Sequence, residues 1–558
     1  MKNTKSALVL LLVAVFALSA FAGLALNFNN NQAYAASNTV ELYAINDFHG
    51  QVDHMAQVSG YLAARKSEGA ILLNSGDMFQ GSMESNSNYG KLLTDCMDAV
   101  GVDAFTYGNH EFDWGIDNLI ELAQNSNTPF LGANIYHWNR FLGWGDFADE
   151  LAQKYVIKEL DNGIRVGIIG VIGSDQITSI SSQLVQSIGF KDPLPIIKDL
   201  ATELREEQDC DVVVVSAHAG PQDLVGEKEN YQQPKSSAGL SSYVDAVFCA
   251  HTHSAQDYIV DGIPFIQGKR YGDFVSYVQL SVGADGKVSC TSHSNLSYNS
   301  LSNVDETVKN TVQTLIDNSN ATIHDAANQV LANLSGGKLG SSAAVPRLVC
   351  QAIAEYALSQ GYDIHLAMVN NASSDLSSGD ITYTELYEAI PFDNIVYIAK
   401  VSGKDLLKEA SYSGQSIWRV NGRAIEDSDT AYYLIAVIDY LLYHQNSYRS
   451  YNYFPSAFTS GFDPIPLTKE GETAYNYRLI TRDFLLSQQT IYAENYTKTN
   501  IRTNADMLTQ SVDLPTTNII PHGLSALEWA LIALAVAVVV VAVVVTVVIV
   551  NKKRNAKA

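Results

Sequence analysis

The sequence predicts a layered α/β domain followed by a smaller mixed α/β domain, and three observations predict it. The chain has 558 residues, more than one hydrophobic core usually serves, at 47% hydrophobic and 17% charged. Its first half repeats a unit: a short apolar, β-branched run, then a polar turn, then a helix-like stretch. The residues best suited to hold a metal fall just past the ends of those runs.

Taken in order, Lys2 and Lys5 precede an apolar run over residues 7–26, and Ala33-Tyr34-Ala35-Ala36 offers the small side chains that signal peptidase prefers. Residues 1–36 read as a signal peptide, with an uncleaved anchor as the alternative. Residues 37–300 form the first domain, with strand-like runs at 40–45, 70–73, 166–172, 211–215 and 245–249 and an amphipathic helix near 196–206. Residues 303–334 turn polar and helical and end in Ser335-Gly336-Gly337, so 301–339 read as a linker helix and hinge about which the domains rotate. A second domain spans 340–511, rich in Tyr, with strand-like 395–401 and 431–438.

Residues 512–528 are a linker, in which Leu514-Pro515-Thr516-Thr517-Asn518 is either a plain Pro-Thr segment or a cell-wall sorting pentapeptide cut by a sortase-type enzyme. Residues 529–550 carry no charge and suffice, at roughly 1.5 Å per residue, to cross a bilayer core of about 30 Å as a transmembrane helix. Lys552, Lys553, Arg554 and Lys557 make residues 551–558 a basic tail that stays cytoplasmic. The folded body is then expected on the extracellular face of the membrane, or in the cell wall if the C-terminal segment is processed.

Charge and cysteine content exclude several classes. A net charge of -24 without a long basic block opposes binding to duplex nucleic acid, which needs clustered Lys and Arg. Five scattered cysteines, with no CxxC pair, make neither a disulfide framework nor a thiolate metal site.

The chemistry gathers at strand ends. Asp47 and His49 follow the first run, Asp77 the second, Asn109 and His110 follow Ala104-Phe105-Thr106, His218 follows the run at 211–215, and His251 and His253 follow that at 245–249. Alone, an Asp-x-His or a His-x-His is more often a turn or cap than a ligand; five such loops in order reverse that judgement. Imidazoles, carboxylates and one amide suit zinc, manganese or a similar metal. Two such ions clamp the attacking and leaving oxygens of a phosphoryl displacement, so phosphate-ester hydrolysis is the expected reaction.

The segments Asn46-Asp47-Phe48-His49-Gly50, Gly76-Asp77-Met78-Phe79-Gln80-Gly81-Ser82, Tyr107-Gly108-Asn109-His110-Glu111-Phe112-Asp113, Ser216-Ala217-His218 and Ala250-His251-Thr252-His253 together resemble the two-domain 5'-nucleotidases among the calcineurin-like metallophosphatases. The resemblance implies a four-layer α/β/β/α sandwich followed by a mixed α/β substrate-recognition domain. It implies two divalent metal ions, one on Asp47, His49, Asp77 and His253 and the other on Asp77, Asn109, His218 and His251, with Asp77 as the bridge. It implies His110 as the catalytic histidine, oriented by Asp113.

The second domain resembles the family in Gly379-Asp380-Ile381-Thr382 and Ile390-Pro391-Phe392-Asp393-Asn394, but it departs at Asn370-Asn371-Ala372-Ser373-Ser374-Asp375, where Asp375 stands in place of a phosphate-binding Arg. A carboxylate repels a phosphate. The resemblance makes Asn370, Asn371, Trp418 and Tyr492 the candidate substrate-binding residues, with Arg419, Arg423 and Arg482 as possible sources of positive charge. The expected function is a dinuclear-metal phosphoesterase acting on extracellular nucleotides or related phosphate esters. A cyclic-nucleotide phosphodiesterase, a nucleotide-sugar hydrolase, or a surface binding protein with a non-catalytic metal site are the alternatives.

Overall fold

The computed structural model describes residues 38–227, 233–412, 414–446, 450–470, 475–497 and 508–511. The signal segment at 1–36, the pentapeptide at 514–518, the apolar run at 529–550 and the basic tail lie outside the described residues. Among the described residues no helix is long and apolar enough to cross a membrane.

Two six-stranded sheets form the first domain. One runs Val288–Ser297, Phe274–Val282, Thr39–Ile45, Ile71–Asn74, Ala104–Thr106, Phe130–Leu131; the other runs Gln256–Val260, Ile263–Gln267, Ala246–Phe248, Val212–His218, Arg165–Ile172, Tyr155–Glu159. Each strand expected from the sequence is present within one to three residues at its ends. The central strands pair in parallel, Leu42 with Ile71 in one sheet and Val214 with Ala246 in the other. They are nearly continuous in Val, Ile and Leu because both of their faces are covered.

The inner faces meet through Val40, Leu42, Ile71 and Leu73 on one side and Val166, Ile168, Val212, Val214 and Phe248 on the other. The outer face of the first sheet is covered by Met55–Ser67 and Lys91–Val100, and the long helix Glu306–Ala327 packs on these two helices, burying Val312 and Ile316. The outer face of the second is covered by Pro193–Glu206 through Ile197, Leu200, Ala201 and Leu204. Helix, sheet, sheet and helix therefore stack in four layers. All five cysteines are free, and four of them are buried.

The second domain holds a five-stranded sheet, ordered Gln415–Arg419, Leu366–Asn370, Tyr432–Ile438, Val396–Ser402, Ile465–Pro466, and a three-stranded sheet, ordered Gly379–Thr382, Val330–Ser335, Thr490–Tyr492. Here the sequence reading is corrected. The stretch taken as helix up to residue 334 ends as helix at Ala327, and Val330–Ser335 is a strand of the second domain, pairing Leu334 with Gly379 and Ile491. Leu331, Ala332 and Leu334 enter that domain's core. Gly336 and Gly337 thus lie inside the second domain, and residues 328 and 329 make the junction.

Candidate metal centre and cleft

The ligand candidates reach one place because both sheets end their parallel strands at the same edge. Holding the loops there requires an unusual backbone. Asp47, His49, Asp77, His251 and His253 all have positive φ, between 51° and 75°. Left-handed backbone in residues with side chains is costly and persists where the surroundings enforce it, commonly at functional sites. Two glycines make the crowding possible: a Cβ on Gly76 (φ +93°) would meet Gly108 N at 2.6 Å, and one on Gly108 would meet Asp77 Oδ1 at 2.3 Å.

Ligand-capable atoms of Asp47, His49, Asp77 and His253 lie within 4.8 Å of one another, and those of Asp77, His218 and His251 form a second such group that shares Asp77. The partners of the remaining atoms fix which atom faces the centre. His49 Nδ1 donates to Gln80 O at 3.3 Å and His218 Nδ1 donates to Ser75 O at 2.8 Å, leaving both Nε2 lone pairs directed inward. Asp47 Oδ2 accepts from Asn46 Nδ2 at 2.6 Å and from the His251 N–H at 2.9 Å, while its Oδ1 is buried without a partner. His251 Nδ1 is buried without a partner as well. Asp77 Oδ1 accepts the His110 N–H, and Oδ2 sits 3.2 Å from His218 Nε2 and 3.8 Å from His49 Nε2. Asn109 Oδ1 lies 3.2 Å from His218 Nε2.

Unpartnered buried acceptors converging in this way are expensive unless a cation satisfies them, so the residues present fit a divalent metal. Burial opposes charge on Asp77, but the imidazoles of His218 and His110 hold its carboxyl well below the ordinary range. Burial, with His218 nearby, lowers His251 to about 4 and keeps it in the neutral, ligating form.

Beside this centre His110 donates Nδ1–H to Asp113 Oδ2 at 2.8 Å, which leaves Nε2 available to the cleft that the ring lines. Burial disfavours the imidazolium, yet Asp77 and Asp113 together raise His110 to about 10.

The two domains form a cleft of about 400 Å³ over these groups. The first domain contributes His49, Gln51, Gln80, His110, His253, Arg270 and Tyr271; the second contributes Ser373, Ser374, Glu388, Pro391 and Phe392. Gln80 Nε2 and Asn86 Nδ2 both donate to Pro391 O at 3.2 Å, and the Phe392 ring lies 5.6 Å from that of His110. Arg478, buried in the second domain, holds this turn by donating to Ile390 O, Phe392 O and the Asp393 carboxylate.

The expected substrate residues are placed differently. Asn370 ends its strand beside the Ser373 and Ser374 turn, but Trp418 is buried in the second-domain core 6.2 Å from Tyr496, and Tyr492 lies on the edge strand Thr490–Tyr492. Neither aromatic lines the cleft. Asp375 is tied to Lys338 Nζ and to the Ser341 N–H, each at 2.8 Å, which neutralises and occupies the carboxylate whose repulsion the sequence raised.

Two supporting residues escaped the sequence reading. Arg478 carries no local signal, since its partners, two carbonyls and the Asp393 carboxylate, lie on a turn distant in sequence. Glu111 was visible only as a motif letter. Its buried carboxylate accepts from Asp77 N, Met78 N, Phe79 N and Gly108 N, binding the Asp77 loop to the His110 loop. Glu111→Ala leaves these four donors unpaired and is expected to cost about 3 kcal/mol or more of stability, read as a lower denaturant midpoint of the full chain. An unchanged midpoint would contradict the role.

Residues 41–255 match the calcineurin-like phosphoesterase family, and residues 332–416 match the 5'-nucleotidase C-terminal domain. An endonuclease, YhcR, of Bacillus subtilis is 23% identical over 66% of the chain, which spans only 32% of that relative. An apyrase of Tabanus yao is 24% identical over 68% of the chain and 76% of its own length. A 5'-nucleotidase precursor from Thermus thermophilus shares the fold, with a TM-score of 0.61 at 15% identity over 81% of this chain and 97% of that one. With both matches in order along one polypeptide, the chain joins a calcineurin-like phosphoesterase domain to a 5'-nucleotidase C-terminal domain.

Proposed function

We propose that the protein is a phosphoester hydrolase with two divalent metals, held by Asp47, His49, Asp77 and His253 and by Asp77, Asn109, His218 and His251. Its substrates are nucleotides or related phosphate esters outside the cell. The observation that carries this reading is the pair of ligand-capable groups that share Asp77, with Asp47 Oδ1 buried and without a hydrogen-bond partner, beside a His110 already paired to Asp113. A structural metal site has no use for the His110 and Asp113 pair.

Bound metals supply Lewis acidity toward the phosphoryl oxygens and a water activated for attack at neutral pH. The chain supplies the rest. Asp77 Oδ2, between the two histidine groups, holds both halves of the centre in register. His110 directs Nε2 toward charge that builds on the phosphoryl or leaving oxygen, and Asp113, bonded to Nδ1, fixes the ring and stabilises the imidazolium form. Phe392, its ring 5.6 Å from that of His110, covers the imidazole and limits water around it.

Nucleotides head the substrate class because of the second-domain match. Trp418 and Tyr492 are poor candidates for receiving a base from this cleft, so the phosphate ester is the primary recognition element and the base a secondary one. Export rests on the apolar segment at residues 7–26 and membrane retention on the one at 529–550. The test is hydrolysis by the zinc- or manganese-loaded protein of nucleoside monophosphates, cyclic nucleotides, nucleotide sugars and simple phosphomonoesters, read by chromatography of the products: inorganic phosphate from the monoesters, a nucleoside monophosphate from the other two. Monoester turnover is the expected result. Inactivity on all four classes with metals bound would replace the enzyme by a binding protein.

A further inference from the structure

The cleft raises a charge problem that the metal ligands alone do not solve. A phosphate ester entering from solvent meets Glu388 from the second domain, and the chain as a whole carries a net charge of -24. The arginines that the sequence offered as counter-charge are engaged elsewhere. Arg419 is buried and donates to Arg423 O and Gln510 O, Arg423 faces Asp363, and Arg482 pairs with Asp483. Arg478 is committed to the Asp393 turn. Among the described cleft-lining residues, Arg270 is the one lysine or arginine.

Arg270 is also held as a ligand-binding cation would be. It projects from the turn after strand Ile263–Gln267, and the next residue, Tyr271, has φ +58° and donates its N–H to Asp47 O at 2.9 Å. The strained turn is thereby docked on the loop that carries Asp47. The guanidinium lies 4.6 Å from the centre of the Tyr271 ring and 3.4 Å from His253 Nδ1. Neither partner is anionic, so its charge is uncompensated where phosphate would arrive.

The two ring nitrogens of His253 face opposite ways. Nε2 lies 3.4 Å from Asp47 Oδ1 and 2.9 Å from His49 Nε2, within the metal-capable group, while Nδ1 meets Arg270. The guanidinium therefore stands directly beside the candidate metal centre without belonging to it.

We propose that Arg270 is the phosphate-binding residue of this cleft, pairing its N–H fork with non-bridging oxygens of the substrate's phosphoryl group. The inference rests on the phosphoesterase reading for its substrate but not for its test. Inorganic phosphate is titrated calorimetrically into the metal-loaded full chain, wild type and Arg270→Met, alongside metal content and steady-state kinetics. The Met variant is expected to keep its metals, to lose about tenfold or more in phosphate affinity, and to show a matching rise in KM with kcat little changed. Arg270→Lys should recover part of that affinity, since it restores the charge without the fork.

Equal phosphate affinity in wild type and Met variant overturns the proposal, as does a wild type that binds no phosphate. A wild type that binds phosphate through Arg270 yet hydrolyses no ester sustains this inference and removes the enzymatic reading instead.

Discussion

Asp77→Ala is expected to empty the centre: elemental analysis of the purified variant should find both metals depleted, and turnover should fall by about 10³-fold or more. The reason lies in the two roles of one carboxylate. Oδ2 stands between His218 Nε2 and His49 Nε2, so both halves of the site lose a ligand together, while Oδ1 releases the His110 N–H and with it the neighbouring loop. Asp77→Asn separates charge from shape. It keeps an oxygen in place but removes the negative charge, and should hold metal more weakly than wild type and better than the alanine variant. Two metals retained by Asp77→Ala would show that this residue does not join the two groups.

His110→Ala is expected to act on chemistry without touching metal content. No atom of the His110 side chain belongs to either metal-capable group, and its Nδ1 is committed to Asp113. Loss of the Nε2–H removes a donor aimed at developing charge, so kcat should fall by about 10²–10⁴-fold while metal stoichiometry stays at the wild-type value. Asp113→Asn should give a smaller loss of the same kind, because the ring remains but is less firmly oriented and its imidazolium less stabilised. Turnover equal to wild type in His110→Ala would exclude its role, and metal loss in that variant would place it in the coordination sphere.

Much of the first domain was legible because its physics is local. Runs such as Val212-Val213-Val214-Val215 form buried parallel strands almost irrespective of context, and the residues that follow them must lie at one sheet edge. That argument picks out Asp47, His49, Asp77, Asn109, His218, His251 and His253 as candidates, and the structure brings all of them together, Asn109 through its 3.2 Å approach to His218. Local sequence did not reveal how the positive φ values and the Gln80 and Ser75 carbonyls select the ligating atoms, since these depend on loops meeting across the sandwich.

The second domain was less legible for the same reason. Val330–Ser335 follows a long helix directly and was read as its continuation; it is a strand because its partners, Gly379–Thr382 and Thr490–Tyr492, come from far along the chain. Trp418 is a substrate candidate only as the neighbour of Ile417, which aligns with the family's stacking aromatic, whereas packing against Tyr496 takes it into the core. Arg270 was passed over because nothing in its local sequence tells that Tyr271 and Asp47 will dock and carry it into the cleft.

The most direct test of the account is to strip the protein with a chelator and follow phosphate release from a nucleoside monophosphate as zinc or manganese is added back. The account predicts no turnover in the stripped protein and full turnover at two equivalents of metal per chain, with a rise in melting temperature over the same titration. Undiminished hydrolysis without metal, or saturation of metal binding with no hydrolysis of any phosphate ester, would contradict it.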